Sequence, residues 1–189
     1  MELGITTERL RLVAGTPLLA QAELDGLESF AKRLGSEIPE SWPPPLCDTD
    51  SMEYGLKLLE EDPKGAGWYS WYILLRNPQG GRTAIGIGGF KGRPSEEGEI
   101  ELSYAILEDY QNQGFCTEAI KAWTEWAFQH PEVKRVVAET MPDLTPSIRV
   151  LEKNGFSKSG DGAQAGSVRF ERLPNGHAAP KTKSSRRTS

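Results

Sequence analysis

The sequence predicts an α/β fold in which a mixed, largely antiparallel sheet is flanked by helices. Residues 99–106 alternate between apolar and polar side chains, as in a half-buried strand, and residues 115–127 then repeat apolar side chains at helical spacing. Two further strand patterns, residues 68–75 and 84–90, flank a turn with the sequence Asn-Pro-Gln-Gly-Gly and predict a hairpin. A chain of 189 residues suits one domain with a proper core and is short for two.

The N-terminal part predicts one strand followed by helices. Residues 9–14 have a strand pattern, and Thr16 and Pro17 suit the cap and first turn of a helix that reaches about residue 34. Residues 36–46 contain four prolines, which exclude a helix or an inner strand and predict an ordered loop. A second helix is expected over about residues 50–61.

The C-terminal part predicts a strand, a helix and a hairpin. Residues 133–140 form an apolar strand pattern. The last helix begins near Pro146 and ends at the Asn-Gly pair of residues 154–155, which suits a helix C-terminus. Residues 156–158 and 167–172 are expected to pair as a final hairpin.

We expect the domain to cover residues 1–172 and a basic, disordered tail to cover residues 173–189. The tail has no apolar period, and lysine and arginine cluster in residues 181–187. A solvated tail is the simplest interpretation; a nuclear address or a tether to an anionic surface is the alternative.

Composition excludes several classes of function. The net charge of -5 argues against nucleic acid as the main partner. The two cysteines make no disulfide framework, and no signal peptide or membrane span is recognisable, so we expect a cytoplasmic protein, either a monomer or a homodimer. His130 and His177 are the two histidines and lie far apart in the sequence, so no metal site is expected.

A short loop with Gly114 joins the strand at residues 99–106 to the helix that follows it. The first amides of a helix have no partner within the helix, and its positive dipole end favours phosphate oxygens. Glycine lets the backbone approach such a ligand closely. The loop is therefore a candidate anion site. The glycines of residues 86–89 lie within a strand pattern that no helix follows, which argues against a nucleotide loop there.

Three segments resemble the GNAT N-acetyltransferases, and in particular their Rim-like branch, named for ribosomal-protein N-terminal acetyltransferases. Residues 111–119 are similar to the coenzyme A pyrophosphate loop Gln/Arg-x-x-Gly-x-Gly/Ala, with Cys116 at its last position. Residues 7–12 resemble the first strand of that branch. Residues 147–156 are similar to the helix-to-strand segment that closes the cofactor site. The three matches occur in the family's order.

The resemblance implies that acetyl-CoA is the acetyl donor and that no metal takes part. It also implies a splay in the sheet between residues 99–106 and 133–140, where the pantetheine arm enters. Main-chain N–H groups around Ile106 would then stabilise the oxyanion of the thioester. The implied cofactor-binding residues are Tyr104, Ala105, Ile106, Leu107, Gln111, Asn112, Gln113, Gly114, Phe115, Cys116, Thr117 and Ser147.

The resemblance also implies a primary amine as acceptor, either a protein N-terminus, a lysine or a small amine, which attacks the thioester directly. Such an amine must lose a proton, so a base is needed within reach. Glu101 is the first candidate, because Glu99 and Glu101 share one face of their strand and their repulsion in a cleft favours holding a proton. Both are candidate substrate-pocket residues; two solvated carboxylates are the equal alternative.

Three further positions bear on catalysis. In the family the connection between the first two helices borders the acceptor pocket, which makes Trp42 a candidate pocket wall; a packing role is the alternative. The family's tyrosine acid corresponds to Leu151, and a Rim-like asparagine corresponds to Leu144. Ser147 is the nearest polar candidate for the acid, with a helix-start role as alternative. The rival function is a non-catalytic acyl-CoA-binding or sensing module.

Overall fold

The computed structural model describes residues 3–174, and the predicted tail lies outside the described residues from position 175 onward. The strands are β1 (Gly4–Thr6), β2 (Leu10–Ala14), β3 (Ser70–Arg76), β4 (Arg82–Phe90), β5 (Glu99–Ile106), β6 (Arg135–Thr140), β7 (Ser157–Asp161) and β8 (Val168–Arg172). The helices are α1 (Pro17–Leu24), α2 (Leu27–Leu34), α3 (Thr49–Glu61), α4 (Phe115–Ala127) and α5 (Thr145–Lys153).

The eight strands form one sheet in the order β1-β2-β3-β4-β5-β6-β8-β7. Every neighbouring pair is antiparallel except β5 and β6, which run parallel. The predicted mixed, largely antiparallel sheet with flanking helices is confirmed, as is the hairpin of β3 and β4. None of the helices in residues 3–174 is long and apolar enough to cross a membrane.

Two details of the N-terminal part differ from the prediction. The single helix expected up to residue 34 is two helices, because Gly26 between them has φ of 119°, which ends one helix and starts the next. The three-residue strand β1 was not predicted, since so short a segment carries no measurable alternation. The capping residue of α3 is Asp48, whose carboxylate accepts from the Ser51 amide.

The helices cover the sheet on two sides and create two clusters of buried side chains. On one side α4 packs against β2, β5 and α5, and Trp71 and Trp123 are fully buried there. On the other side Phe30 of α2, Trp42 and Tyr72 form an aromatic cluster with ring centroids 4.9 to 6.4 Å apart. Apolar burial on both faces therefore fixes the central strands.

The parallel pair β5 and β6 is short. It joins Glu99–Glu101 on β5 to residues 135–137 on β6, and the ladder stops there although both strands continue. The remaining residues of β5 pair with β4 on their other side. The sheet is thus open between the C-terminal halves of β5 and β6, as the expected splay requires.

Candidate active site

The loop before α4 presents an uncapped helix N-terminus. Gly114 is the N-cap residue with φ of 83°, and no side chain caps the helix. The Gln111–Gly114 stretch is exposed to solvent. The amides of Phe115, Cys116 and Thr117 belong to the first turn, where helix geometry leaves N–H groups without intrahelical partners. An anion that binds here would meet these donors and the positive end of the helix dipole.

Hydrogen bonds fix the shape of this loop. The Gln111 side chain donates to the Ile106 carbonyl over 3.3 Å, and the Gln113 side chain donates to the Asp109 carbonyl over 2.9 Å. The guanidinium of Arg9 donates to the Gln113 carbonyl over 2.9 Å. The side chains of Gln111 and Gln113 therefore stabilise the shape of the loop, while Gly114 leaves the N-terminus of α4 open.

The strand β5 offers unpaired main-chain groups to the opening. The Leu107 amide donates to Ile85 and the Glu101 carbonyl accepts from Lys91, so odd-numbered residues of β5 bond β4. Because bonding alternates along an antiparallel ladder, the N–H groups of Tyr104 and Ile106 point to the other side. They face the gap beyond the last β5–β6 pair. This is where donors to a thioester carbonyl were expected.

Tyr104 and Ser147 meet across this opening. The phenol oxygen of Tyr104 on β5 lies 2.8 Å from Oγ of Ser147 at the start of α5. Burial raises the pKa of Tyr104 to about 12, although the hydrogen bond to Ser147 lowers it in part. The phenol thus keeps its proton near pH 7 and is a weaker acid than an exposed tyrosine. Burial also raises the pKa of Cys116 to about 11, which argues against a nucleophilic thiolate.

A cavity of about 530 Å³ lies between the sheet and helices α1 and α3. Its floor is formed by strands β3 to β5, including Ser103 and Ala105, and its roof by α1, α3 and the segment before α3. Tyr104 also contributes to its lining. The cavity therefore reaches β5, the strand whose far edge borders the opening. Its volume suits a small ligand.

A carboxylate that the sequence did not single out lies in the wall of this cavity. Glu23 of α1 accepts from the Trp42 indole N–H over 2.9 Å and from the Tyr72 hydroxyl over 2.7 Å. Burial raises the pKa of Glu23, and the two hydrogen bonds offset part of that rise. The one available signal was an acidic residue between the apolar neighbours Ala22 and Leu24.

Glu99 and Glu101 do not form the facing carboxylate pair that we expected. Glu101 is ion-paired with Lys91, and Glu99 is ion-paired with Arg135 over 2.9 Å and with Arg169. Neighbouring cations thus hold each carboxylate separately, so repulsion between the two is not the dominant interaction. Lys91 lines the cavity and Ser103 follows Glu101 on the same strand face, which places Glu101 at the cavity margin.

Trp42 and Leu151 are packing residues in this structure. Trp42 is 7% exposed and packs with its ring tilted against Phe30 and Tyr72, so it holds Glu23 through its indole N–H and does not itself line the cavity. Leu151 is fully buried, whereas Leu144 is half exposed at the N-cap position of α5. Neither leucine offers a proton donor. The Tyr104 hydroxyl is the phenol that reaches the opening.

A second groove, of about 940 Å³, runs along the outer side of α4. It begins at Gly114 and Thr117 and is lined farther along by Lys121 and Lys153. Lys121 is bound to Glu125 over 2.7 Å. The groove continues from the helix N-terminus, and its lining carries Lys121 and Lys153 together with the carboxylates of Glu8, Glu118 and Glu125. Within residues 3–174 no cluster of His, Cys, Asp and Glu is arranged to hold a metal ion.

An eight-stranded mixed sheet that opens between its parallel strands, beside an uncapped helix N-terminus, is the fold of GNAT acyltransferases. The acetyltransferase (GNAT) domain model matches residues 18–157, and the chain belongs to this family. It is an N-acetyltransferase of the kind that uses acetyl-CoA, which confirms the resemblance stated from the sequence.

Relatives and solved structures support this assignment. The uncharacterized N-acetyltransferase YjdG of Bacillus subtilis is 31% identical over 156 residues, which cover 80% of this chain and 88% of the relative. RimL, a ribosomal L7/L12 alpha-N-protein acetyltransferase solved with coenzyme A, superposes with a TM-score of 0.65 at 17% identity and covers 93% of this chain and 100% of its own. The ribosomal-protein-S5-alanine acetyltransferase of Vibrio fischeri gives a TM-score of 0.62 at 14% identity and covers 90% and 96%.

Proposed function

We propose that this protein transfers an acetyl group from acetyl-CoA to a primary amine by direct attack in a ternary complex in the cytoplasm. The observation that carries the proposal is the opening between β5 and β6 beside the uncapped N-terminus of α4. In this assignment the loop binds the pyrophosphate and the opening admits the pantetheine arm. Positioning of two substrates accounts for much of the rate enhancement of such a transfer.

The donor is held by main-chain groups in this proposal. The amides of the first turn of α4 bind phosphate oxygens, and the free groups of Tyr104 and Ile106 bind the arm and its thioester. The flanking residues Ala105, Leu107, Gln111, Asn112 and Gln113 shape the two segments. Because Asn112 has φ of 59° and Gly114 has φ of 83°, the loop turns sharply enough to leave the helix end accessible.

Proton transfer is assigned to two sides of β5. The incoming ammonium of the acceptor first displaces Lys91 from the carboxylate of Glu101 at the cavity margin. Glu101 then takes the proton of the acceptor amine, directly or through water. On the other side, Ser147 and Tyr104 supply a proton to the departing thiolate through their 2.8 Å hydrogen bond. An acid and a base on opposite sides of the thioester suit direct attack.

The test begins with an isothermal titration of the protein with acetyl-CoA, with ATP as the comparison. We expect tight binding of acetyl-CoA and at least a 100-fold loss of affinity for Gly114→Asp, since its carboxylate would lie beside the phosphate site and repel the phosphates. Gly80→Asp is the matched control, because Gly80 has a similar φ of 87° in the β3–β4 turn. Unchanged affinity in a folded Gly114→Asp variant contradicts the donor site.

The rival proposal is an acyl-CoA-binding or sensing module without turnover, which the apolar Leu151 at the family's tyrosine position favours. Release of free thiol from acetyl-CoA in the presence of amines separates the two. We expect turnover that Glu101→Gln lowers by about 10²-fold, the lower range for general acid–base catalysis. Tight acetyl-CoA binding with no thiol release over a broad amine and peptide panel would support the module instead.

A further inference from the structure

Glu23 is a cavity carboxylate for which the proposed reaction has no role. Its two oxygens accept from Trp42 and Tyr72, so the carboxylate has a fixed position and direction. Among residues 3–174 it makes no ion pair, although it is largely enclosed by α1, Trp42 and the sheet. A partly buried carboxylate without a cation loses part of its hydration, and each oxygen keeps a free lone pair for a further donor.

The sheet register gives the distance between β3, whose Tyr72 holds Glu23, and β5, where the reacting centre is assigned. Tyr72 on β3 pairs with Ile87 on β4, and Ile87 pairs with Ala105 on β5, so these three side chains share one face. Two strand spacings separate Tyr72 from Ala105, or about 10 Å. Glu23 is bound to the Tyr72 hydroxyl, whereas the thioester is assigned to the far edge of β5. An amine that attacks at that edge is therefore about two strand spacings away from β3, whose Tyr72 holds Glu23.

The cavity between these two points is mostly apolar. Ile87 forms its floor, and Met52 and Leu58 of α3 contribute to its roof. The other charged side chain in the lining is Lys91, which is paired with Glu101. The cavity thus has one unpaired anionic group at the α1 end, an apolar middle, and the acceptor end at β5. Methylene groups suit the middle section, and a cation suits Glu23.

We propose that the acceptor is a small diamine or polyamine, whose distal ammonium group binds Glu23 while its other amino group is acetylated at β5. This inference rests on the proposed function and narrows its acceptor class. The ammonium donates to the free lone pairs of Glu23, and the carbon chain lies along the apolar floor. The enclosed volume of about 530 Å³ favours a small molecule over a folded protein partner.

The first experiment compares amines of equal chain length that differ in one charge. Cadaverine and n-pentylamine form one such pair, and spermidine and n-octylamine, which differ in two charges, extend the comparison to a longer span. We expect kcat/KM for the di- and triamines to exceed that of the monoamines by about 10- to 100-fold, the range that a charged hydrogen bond provides. Equal kcat/KM within each pair would overturn the proposal.

The second experiment removes the charge of Glu23 and keeps its shape. Glu23→Gln is expected to raise KM for cadaverine and spermidine by about 10- to 100-fold and to leave n-pentylamine unchanged. Glu53→Gln is the control, since Glu53 lies exposed on α3 beside the cavity lining. A diamine preference that persists in folded Glu23→Gln would contradict the assignment.

Two further measurements keep the outcomes separable. Titration of each variant with acetyl-CoA is expected to give unchanged affinity, since Glu23 is bound to Tyr72 of β3, two strands away from β5 and the opening. Loss of acetyl-CoA binding in the wild-type protein would contradict the proposed function itself.

Tyr72→Phe removes one of the two donors that orient Glu23 and is expected to raise KM for diamines less than Glu23→Gln does. Acetylation of peptides but not of diamines would overturn the inference and leave the acetyl transfer intact.

Discussion

Tyr104 connects the two sides of the candidate site. Its main-chain N–H faces the opening between β5 and β6, and its hydroxyl is bound to Ser147 of α5. The same residue also contributes to the lining of the acceptor cavity. Tyr104 therefore borders the opening, where the proposed reaction releases the thiol, and also contacts α5.

We predict that Tyr104→Phe lowers kcat by about 10²-fold and leaves the dissociation constant of acetyl-CoA within about threefold of the wild-type value. The reason is that the hydroxyl supplies the proton while the main chain holds the donor. Thiol release and calorimetric titration measure the two quantities. Tyr110→Phe is the control, because Tyr110 lies in the 3-10 helix of residues Glu108–Tyr110 before the loop. A kcat equal to that of the control would exclude Tyr104 from proton transfer.

At the residue scale, the sequence indicated the positions that lie in continuous motifs. Gly114, Tyr104 and Ser147 were recognisable because a strand, a loop and a helix start follow each other in the chain. Glu23 was not, since its environment comes from Tyr72, 49 residues away, and Trp42, 19 residues away. The Lys91 partner of Glu101 depends in the same way on the pairing of β4 with β5.

At the element scale, the β1–β2 connection is tied to the first turn of α4. One oxygen of Glu118 accepts from the Thr7 hydroxyl over 2.6 Å and from the Arg9 amide over 2.8 Å, and the other accepts from the Arg9 guanidinium over 2.7 Å. The same guanidinium bonds the Gln113 carbonyl. The orientation of the loop at residues 111–114 thus depends on the hairpin of β1 and β2.

This connection predicts a pH dependence of stability. Burial raises the pKa of Glu118, but the hydrogen bonds from Thr7 and Arg9 outweigh that effect and hold the pKa below its ordinary value of 4.5. The contribution is therefore complete above about pH 4.5 and is lost as the pH falls through the lowered pKa. Urea unfolding should show that the stability difference between wild type and Glu118→Gln shrinks in this acidic range. A difference that stays constant down to about pH 3 would contradict the assignment.

The contact of α4 with the sheet depends on a residue without a side chain. A Cβ atom on Gly88 of β4 would lie 2.6 Å from the ring of Trp123, which is fully buried. We predict that Gly88→Ala lowers the free energy of unfolding by about 1–3 kcal/mol through overpacking.

The matched substitution Gly55→Ala in α3 meets open space and is expected to raise the free energy of unfolding by about 0.5–1 kcal/mol. Chemical denaturation of both variants measures the two opposite shifts. Equal shifts would mean that α4 is able to move away from β4.

Helix and strand types were predictable at this scale where the periodicity extends over several turns or pairs. The division of the first predicted helix was missed, because a single glycine inside an amphipathic pattern is compatible with both a continuous and a broken helix. The positive φ of Gly26 decides between them, and α1 and α2 lie in contact on either side of it.

For the whole molecule, the sheet consists of two parts joined by a short ladder. Three residue pairs link β5 to β6, whereas the antiparallel pairs around them are longer on both sides. A ligand arm in the opening would bridge the two parts. The strand order itself was not predictable from the sequence, because the placement of β8 between β6 and β7 rests on long-range pairing.

We predict that acetyl-CoA at about 100 times its dissociation constant stabilises the fold by about 2.7 kcal/mol and raises Tm by roughly 5–10 °C. Hydrogen exchange of the Tyr104 and Ile106 amides should slow at the same time, since these groups would gain acceptors. Thermal scans and exchange measurements check both. A raised Tm without protection of these amides would place the ligand elsewhere.

The position of β8 has a consequence for the order in which the protein matures during translation. β8 is synthesised after β7, yet it lies between β6 and β7 in the sheet. Until residues 168–172 leave the ribosome, β6 has its three pairs with β5 and no neighbour on its other side, and β7 has no strand to join. The edge of β6 that faces away from β5 is therefore covered only after β8 has been made, so the part of the sheet beside the opening gains its full set of neighbours only after residue 172 is synthesised.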